Sequence, residues 1–355
     1  MTPPLVLQVA NERVLGPSSR FVRAFGLLAS DGLLRHTVVS PLAVLGEGRE
    51  TALRRLHAEV GELRPAAVFV QSPGAFPWTD EDVRALLSLL GDPPVVFWEG
   101  DAWGGRKQLT PASQAWLGAA DRVHSVALGP QAALLRRHSR ASVRYVPHVL
   151  PLSFDDTPVP SPGEAVDDVV AMGNCYVRFG CWERVEGGLD RARMVRGLRR
   201  LPGCRLSVYG TRWRGRGARG PAPFPRQVDV LRQGRITAGW DHFSGYPRYF
   251  SDRLPIALYA GRPHVTSRQP GLDWLPGPGT GLHLCATPGA AVSAVQRLLA
   301  TADDELHAAG LRGHAWVRDR FTDREALLHM LGGLVALPLP PADPWQAFVR
   351  PVVPA

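Results

Sequence analysis

The sequence has almost no lysine: of its 41 basic side chains, Lys107 is the single lysine and the others are arginine. With abundant Ala, Gly and Pro, this bias is what a GC-rich coding sequence produces, and by itself it assigns no arginine chemistry. Cysteine is scarce as well. Cys175, Cys181, Cys204 and Cys285 form no CxxC pair and no zinc-ligand spacing, which argues against a disulfide scaffold or zinc module and for reduced thiols in the cytoplasm. No apolar run approaches the ~18–20 residues of a membrane helix. The opening, MTPPLVLQVANERV, lacks the basic region and long apolar stretch of a secretory signal, so it reads as the first strand of the fold. GxGxxG is missing, which disfavours a dinucleotide dehydrogenase. Neither a DxD in a strand–loop context nor a His/Cys pairing occurs, so no metal site is expected.

What the chain does have is length and positive charge. Its 355 residues suit two domains. The net charge of +9 favours an anionic partner. Nucleotide, nucleic acid and an anionic membrane surface all remain open as that partner.

Residues 1–150 alternate strand and helix. Apolar strands are read at 5–10, 36–39, 67–71, 95–98, 122–126 and 143–146. Helices are read near 19–28, with Ser18 or Ser19 as cap, and at 50–63, 80–90, 111–119 and 130–138. This pattern predicts an α/β domain with a parallel sheet covered on both faces. Residues 151–166, punctuated by Pro151, Pro158, Pro160 and Pro162, read as a linker. A second αβ domain runs over 167–335, starting with the strand Val169–Met172. The tail, 336–355, is proline-rich, with Trp345 and Phe348 as anchors.

Ligands of open α/β sheets bind beyond the carboxyl ends of the strands, so the loops there hold the candidates. After the first strand, Gly16 permits close backbone approach, and Ser18 and Arg20 follow it. After the fourth comes Trp98-Glu99-Gly100-Asp101-Ala102-Trp103. Asp101, or Glu99 behind it, is a candidate general base for an acceptor hydroxyl, and Trp98 and Trp103 are candidate stacking surfaces. The bland alternative is a capping Asp with core tryptophans. His124 and His148 are weaker candidates. In the second domain, Gly173, Asn174 and Arg178 form the first loop. Arg212, Trp213, Arg214, Arg216 and Arg219 form a glycine–arginine loop, suited to stacking on a base or gripping a nucleic-acid backbone, or simply mobile.

The most informative stretch is 234–271. A short strand, Ile236-Thr237-Ala238, leads into a loop rich in groups that hold anions or rings, among them Trp240, Asp241, His242, Tyr246, Arg248 and Tyr249. Ser251-Asp252-Arg253 reads as a helix start with Ser251 as N-cap. Gly261 and Pro263 end the helix, and His264-Val265-Thr266 is the next strand. Either this is a diphosphate site with Arg253 as its charged fork, or it is an ordinary capped helix.

These motifs resemble the donor-binding part of GT-B glycosyltransferases, close to the family with a glycosyltransferase group 1 or CgeB-like C-terminal domain. The resemblance rests on Ser251-x-Arg253, on Ala260-Gly261-Arg262-Pro263-His264-Val265-Thr266, and on Pro270-Gly271. Val146-Pro147-His148 resembles the turn that ends the first domain of such enzymes. The resemblance is specific over about 165–335 and generic before it. It implies a GT-B fold, two Rossmann-like αβα domains facing each other across a cleft, with a C-terminal segment that crosses back to the first.

The function implied is sugar transfer from a nucleotide-sugar co-substrate, a UDP-sugar foremost, to a hydroxyl acceptor, with no further cofactor and no metal. Donor contacts would come from Gly173, Asn174, Arg178, Trp213, His242, Tyr246, Ser251, Asp252 and Arg253. Acceptor contacts would come from Gly16, Ser18, Arg20, Trp98 and Trp103. The acceptor stands open between a hydroxymethylated pyrimidine in DNA, gripped by Arg212, Arg214, Arg216 and Arg219, and a small natural product or cell-envelope molecule. A nucleotide-sugar epimerase and a non-catalytic binding protein are the other readings. One departure stands out. Relatives often carry a ribose-binding carboxylate inside the helix, where this chain has Leu254-Pro255-Ile256.

Overall fold

The computed structural model of the chain describes residues 2–16, 19–104, 107–154, 156–178 and 182–337. They form two compact units. In the first, β1 (Leu5–Val9), α1 (Val22–Ser30), β2 (Arg35–Val39), α2 (Arg49–Val60), β3 (Ala67–Gln71), α3 (Asp80–Leu89), β4 (Val95–Glu99), α4 (Pro111–Ala119), β5 (Arg122–Ser125), α5 (Pro130–Arg136) and β6 (Val143–Tyr145) alternate as expected. The sheet is wholly parallel, in the order β2-β1-β3-β4-β5-β6.

The second unit contains β7 (Asp167–Met172), the hairpin β8 (Val177–Arg178) and β9 (Trp182–Glu183), α6 (Gly188–Leu198), β10 (Leu206–Tyr209) and β11 (Ala218–Gly220). These are followed by α7 (Gln227–Arg232), β12 (Gly234–Ala238), α8 (Arg253–Tyr259), β13 (His264–Ser267), β14 (Leu282–Cys285), α9 (Pro288–Leu299) and α10 (Asp303–Arg320). Its main sheet is also parallel, in the order β11-β10-β7-β12-β13-β14. In each sheet the strand order reverses beside the first strand, between β1 and β3 and between β7 and β12. The crevice at such a switch point is where open α/β sheets bind ligands.

Local chemistry explains several helix starts. Thr79 opens α3 with a capping box: its hydroxyl accepts from Asp82 N (3.2 Å) and its own N–H donates to the Asp82 carboxylate (2.8 Å). Thr110 and Thr287 cap α4 and α9, each followed by proline at the first helical position. Two expected caps are absent. Ser19 does not cap α1; Phe21 precedes that helix in a left-handed conformation (φ 63°). Ser251 does not cap α8, because its hydroxyl is held by Asp241.

Each unit has its own core. Val68, Val70, Phe97, Trp116 and Leu86 lie in the first, and Val169, Ile236, Val195, Val208 and Val265 in the second. Full burial of such a side chain stabilises by roughly 1.5–3 kcal/mol.

Two boundaries differ from expectation. Residues 151–166 are not a free linker, since the second unit takes in Phe154–Thr322. Arg262, 1% exposed, donates to Pro160 O (2.6 Å), and Arg232 donates to Thr157 O (3.0 Å). A proline-rich run cannot form a ladder of its own, and here buried guanidinium groups satisfy its carbonyls instead. The second difference is α11 (Asp323–Leu331), which belongs to the first unit, not the second. It packs on α1, and Arg122 Nη1 donates to Met330 O (3.1 Å) and Gly332 O (2.6 Å). The return to the first unit thus comes before the tail. Trp345 and Phe348 fall outside the described residues.

Candidate active site

Beside the switch point of the second sheet, the loops after β7 and β10 lie backbone to backbone. Gly173 N donates to Tyr209 O (2.9 Å), Cys175 N to Thr211 O (3.0 Å), and Thr211 N to Asn174 Oδ1 (2.9 Å). Gly210 permits this approach: at φ 139°, a Cβ there would sit 2.3 Å from Gly173 O. Together with Arg253 and Gln227 these loops line a cavity of 220 Å³. Gly173, Asn174 and Arg253, far apart in sequence, therefore meet.

Behind the cavity is a buried charge cluster. Arg191, 3% exposed, donates through Nε to Trp240 O (2.6 Å) and through Nη1 to Asn174 O (3.0 Å). It ties the loop after β7 to the loop after β12. Burial, and then the positive Arg253 nearby, pull its pKa down to about 10, while Asp241 opposes the shift. Asp241 is buried too and accepts from the Ser251 hydroxyl (2.6 Å) and Ser251 N (3.3 Å). Burial raises its pKa; the Ser251 hydrogen bond, Arg191 and Arg253 hold it down. Tyr249, buried alongside, is pushed far above the ordinary phenol range by burial and by Asp241.

The sequence reading missed Arg191 and Gln227. Arg191 was one arginine among many on a helix, and only tertiary structure puts it between two loops. Gln227 faces the cavity from the first turn of α7, with Oε1 buried and no partner among the described residues.

Other expected donor residues are placed differently. Arg178 is exposed on the β8–β9 hairpin and is not part of the cavity lining. Trp213 is half-buried against the core and donates its indole N–H to Gly173 O (2.6 Å), so it supports the loop from behind. His242 is buried, with Nδ1 3.2 Å from Glu186 O and its ring 5.2 Å from that of Tyr176. Tyr246 packs on Phe243 at 5.0 Å. Asp252 is half-buried at the start of α8 and makes no side-chain capping bond. The four loop arginines divide. All four are exposed, but Arg216 donates to Cys204 O (2.7 Å) and Arg219 to the Ser207 hydroxyl (3.1 Å).

In the first unit, Glu99 ends β4 and is wholly buried. Its Oε1 accepts from the Ser72 hydroxyl (2.9 Å) and Asp101 N (2.9 Å). Burial and the adjacent Asp101 charge raise its pKa to about 7. Glu99 therefore holds the loops after β3 and β4 together and cannot itself meet an acceptor. Asp101 is the accessible carboxylate, with its side chain 55% exposed and 2.8 Å from Lys107 Nζ.

Both tryptophans are core residues, contrary to the stacking expectation. Trp98 is 1% exposed, with the Arg20 guanidinium 4.6 Å from its ring centroid. A Cβ on Gly100 would lie 2.4 Å from its six-membered ring, so the chain crosses that ring where only glycine fits. Trp103 is 8% exposed with Lys107 Nζ 4.6 Å from its ring. Large flat side chains fill the space under the strand-end loops, which leaves no face for a sugar. Arg20 is half-buried and lies near the buried Asp323, whose pKa burial raises to about 7 and Arg20 lowers. Gly16 N donates to the Ser19 hydroxyl (3.0 Å) in a closed turn. Ser18 lies outside the described residues. His124 is fully buried, and burial drives its pKa well below the usual value. His148 is buried as well.

A second cavity, of 280 Å³, opens at the carboxyl end of β2. Leu15, Val38, Pro41, Val44 and Leu56 line it, with Arg55 and Glu59 among its polar groups. Among the described residues no three His, Cys, Asp or Glu side chains group as a metal site, and no helix is long and apolar enough to cross a membrane.

Residues 191–331 match a family described as glycosyl transferase-like. No curated protein sequence matches the chain. Among solved structures, the chain is similar to a sucrose-phosphate synthase from Thermosynechococcus elongatus, at 14% identity and TM-score 0.58, over 92% of this chain and 97% of that one. It is similar to HepE from Anabaena in complex with UDP and glucose, at 13% identity and TM-score 0.55, over 93% and 100%. It is also similar to a T4 phage BGT mutant in complex with UDP-glucose, at 10% identity and TM-score 0.52, over 92% and 99%. The two parallel six-stranded units have the fold of the GT-B glycosyltransferases. The family match reaches glycosyltransferases as a group and does not single out a CgeB-like subgroup.

Proposed function

We propose that the chain is a glycosyltransferase that moves a sugar from a UDP-sugar to a hydroxyl acceptor. The observation that carries this reading is the convergence of Gly173, Asn174 and Arg253 on one cavity at the carboxyl ends of β7 and β10, in a unit most of which lies within the 191–331 match to a glycosyl transferase-like family. UDP is the proposed nucleotide because HepE and the T4 enzyme, which share the fold, were solved with UDP or UDP-glucose.

In this reading the bond from the anomeric carbon to the diphosphate oxygen breaks, and the acceptor oxygen bonds to that carbon. Arg253 meets the negative charge on the departing diphosphate, with Arg191 behind it, and no metal takes that role. Arg253 acts through its side chain rather than through a helix end, since α8 has only seven residues and Leu254 N already bonds to Ser251 O. Asp101 is the proposed base that takes the acceptor proton in an inverting reaction, and Glu99 fixes the backbone that carries it. With no carboxylate in Leu254-Pro255-Ile256, Gln227 is the side chain proposed to meet the nucleotide's ribose or base.

The acceptor has two versions. A hydroxymethylated pyrimidine in DNA is favoured by the exposed Arg212 and Arg214 beside the cavity, and the T4 β-glucosyltransferase of the same fold is described as a DNA modifying enzyme. A small natural product is favoured by the mostly apolar 280 Å³ cavity of the first unit.

Titration with UDP, GDP and dTDP, followed by a hydrolysis and transfer screen of their sugars, tests the reading. UDP should bind and a UDP-sugar should turn over. Binding without any turnover would favour a non-catalytic protein, and an isomerised sugar formed without acceptor would indicate an epimerase. Arg253→Ala should weaken UDP binding by about 1.5–3 kcal/mol through loss of charge-assisted hydrogen bonds. Unchanged affinity would remove Arg253 from the site.

A further inference from the structure

From Arg191 to Arg226 the sequence contains eleven arginines and not one Asp or Glu. This stretch runs through α6, the strand β10, the edge strand β11 beside it, and the loop between those strands. The loop is fastened to the end of the helix. Arg199 Nε donates to Arg216 O (3.0 Å), Arg216 Nη2 donates to Cys204 O (2.7 Å), and the Arg199 guanidinium lies 6.0 Å from the Trp213 ring. Arg196 and Arg200 from the helix side and Arg212 and Arg214 from the loop are all exposed on this one braced piece.

Three arginines of the stretch do have carboxylate partners, but Asp190, Asp168 and Asp229 all come from outside it. None of the four named above pairs with a carboxylate among the described residues. Like charges held together without counter-charge repel one another. The exposed large apolar side chains that a lipid surface would use are, among the described residues, Val14, Leu27, Val166, Trp182 and Leu311, none of them within the stretch 191–226. Guanidinium forks match phosphate oxygens two at a time.

We propose that this arginine face docks the phosphodiester backbone of a nucleic acid, outside the donor cavity. Its use in sugar transfer rests on the DNA-acceptor reading; its test does not.

Binding of a short fluorescent DNA duplex to the full chain is followed by anisotropy at stepped KCl concentrations, without donor. The affinity should fall linearly on logarithmic axes, each phosphate contact contributing a slope of about 0.9. The triple variant Arg196→Gln/Arg200→Gln/Arg214→Gln should lower the slope by roughly 2–3 and weaken low-salt binding at least about tenfold. The corresponding triple lysine variant, which guards against misfolding of the first, should keep most of the slope. A control with the same charge change on the first unit, Arg54→Gln/Arg84→Gln/Arg136→Gln, should bind nearly as the unaltered chain does. Equal loss in the control, unaltered binding in the arginine-face variant, or tighter association with anionic phospholipid vesicles than with the duplex would each overturn the proposal. Failure of the unaltered chain to bind UDP while it still binds the duplex would sink the donor reading and leave this one standing.

Discussion

Arg191 carries its charge into the interior of the second unit, where its fork joins the carbonyls of Asn174 and Trp240. A buried guanidinium is tolerated only when its donors are satisfied and an opposite charge is near. Asp241 supplies that charge, and Arg191 in turn helps to keep the Asp241 carboxylate ionised. Arg191→Leu should therefore destabilise the second unit by about 3–5 kcal/mol, since it leaves a buried carboxylate undercompensated. Chemical denaturation monitored by tryptophan fluorescence reads this; a loss below 1 kcal/mol would mean the loops hold without it. Gln227→Leu should leave stability unchanged and weaken UDP binding by about 1 kcal/mol, as measured by titration.

Glu99 sets a pH dependence of opposite sign to that of a paired surface carboxylate. Its folded pKa of about 7 lies above the reference value of 4.5. The folded state therefore holds the proton more tightly, and stability is lost as pH rises through the window from 4.5 to 7. Glu99→Gln preserves the shape of the protonated acid, so the variant should match the unaltered chain below that window. Above it the variant should be the more stable by on the order of 3 kcal/mol. Melting temperatures measured from acid to mildly alkaline pH check this, and a difference that does not grow with pH would refute it.

Among whole elements, most regular ones were legible in the sequence, whereas the β8–β9 hairpin, the edge strand β11 and the loops between elements were not. The six strands of the first sheet and the run from β12 to β13 follow from apolar periodicity and from proline and glycine stops, which are local signals. The strand-end loops are held by long-range bonds that no local pattern announces. Among the described residues, five of the six non-glycine positions with positive φ lie after strand ends: Phe21, Ser72, Arg212, Phe243 and Arg248. Such backbone is held against its local preference by surrounding contacts, and it clusters around binding sites. Gly210→Ala should destabilise by about 2–4 kcal/mol, since it combines strain at φ 139° with a clash against Gly173 O. A melting temperature within a degree of the unaltered chain would show that the two loops can separate.

For the molecule as a whole, the return of α11 to the first unit is decisive. Leu327, Leu328, Met330 and Leu331 are all buried. At roughly 1.5–3 kcal/mol each they contribute as much as the entire net stability of a typical domain, about 5–15 kcal/mol. A chain ended at Thr322 should therefore lose the cooperative unfolding transition of the first unit and keep that of the second, as scanning calorimetry would show. Two intact transitions would contradict the assignment of α11.

By itself the sequence determined the α/β class, two units of parallel sheet, and Ser251–Arg253 as the start of a helix after a polar loop, because these rest on periodicity and on short motifs whose residues are neighbours. Tertiary structure alone decided which candidates share a cavity, that Trp98 and Trp103 belong to the core, that Glu99 is sealed while Asp101 is open, and that Arg191 braces the site. Burial and charge compensation are set by residues tens to hundreds of positions apart, and only the folded chain brings those together.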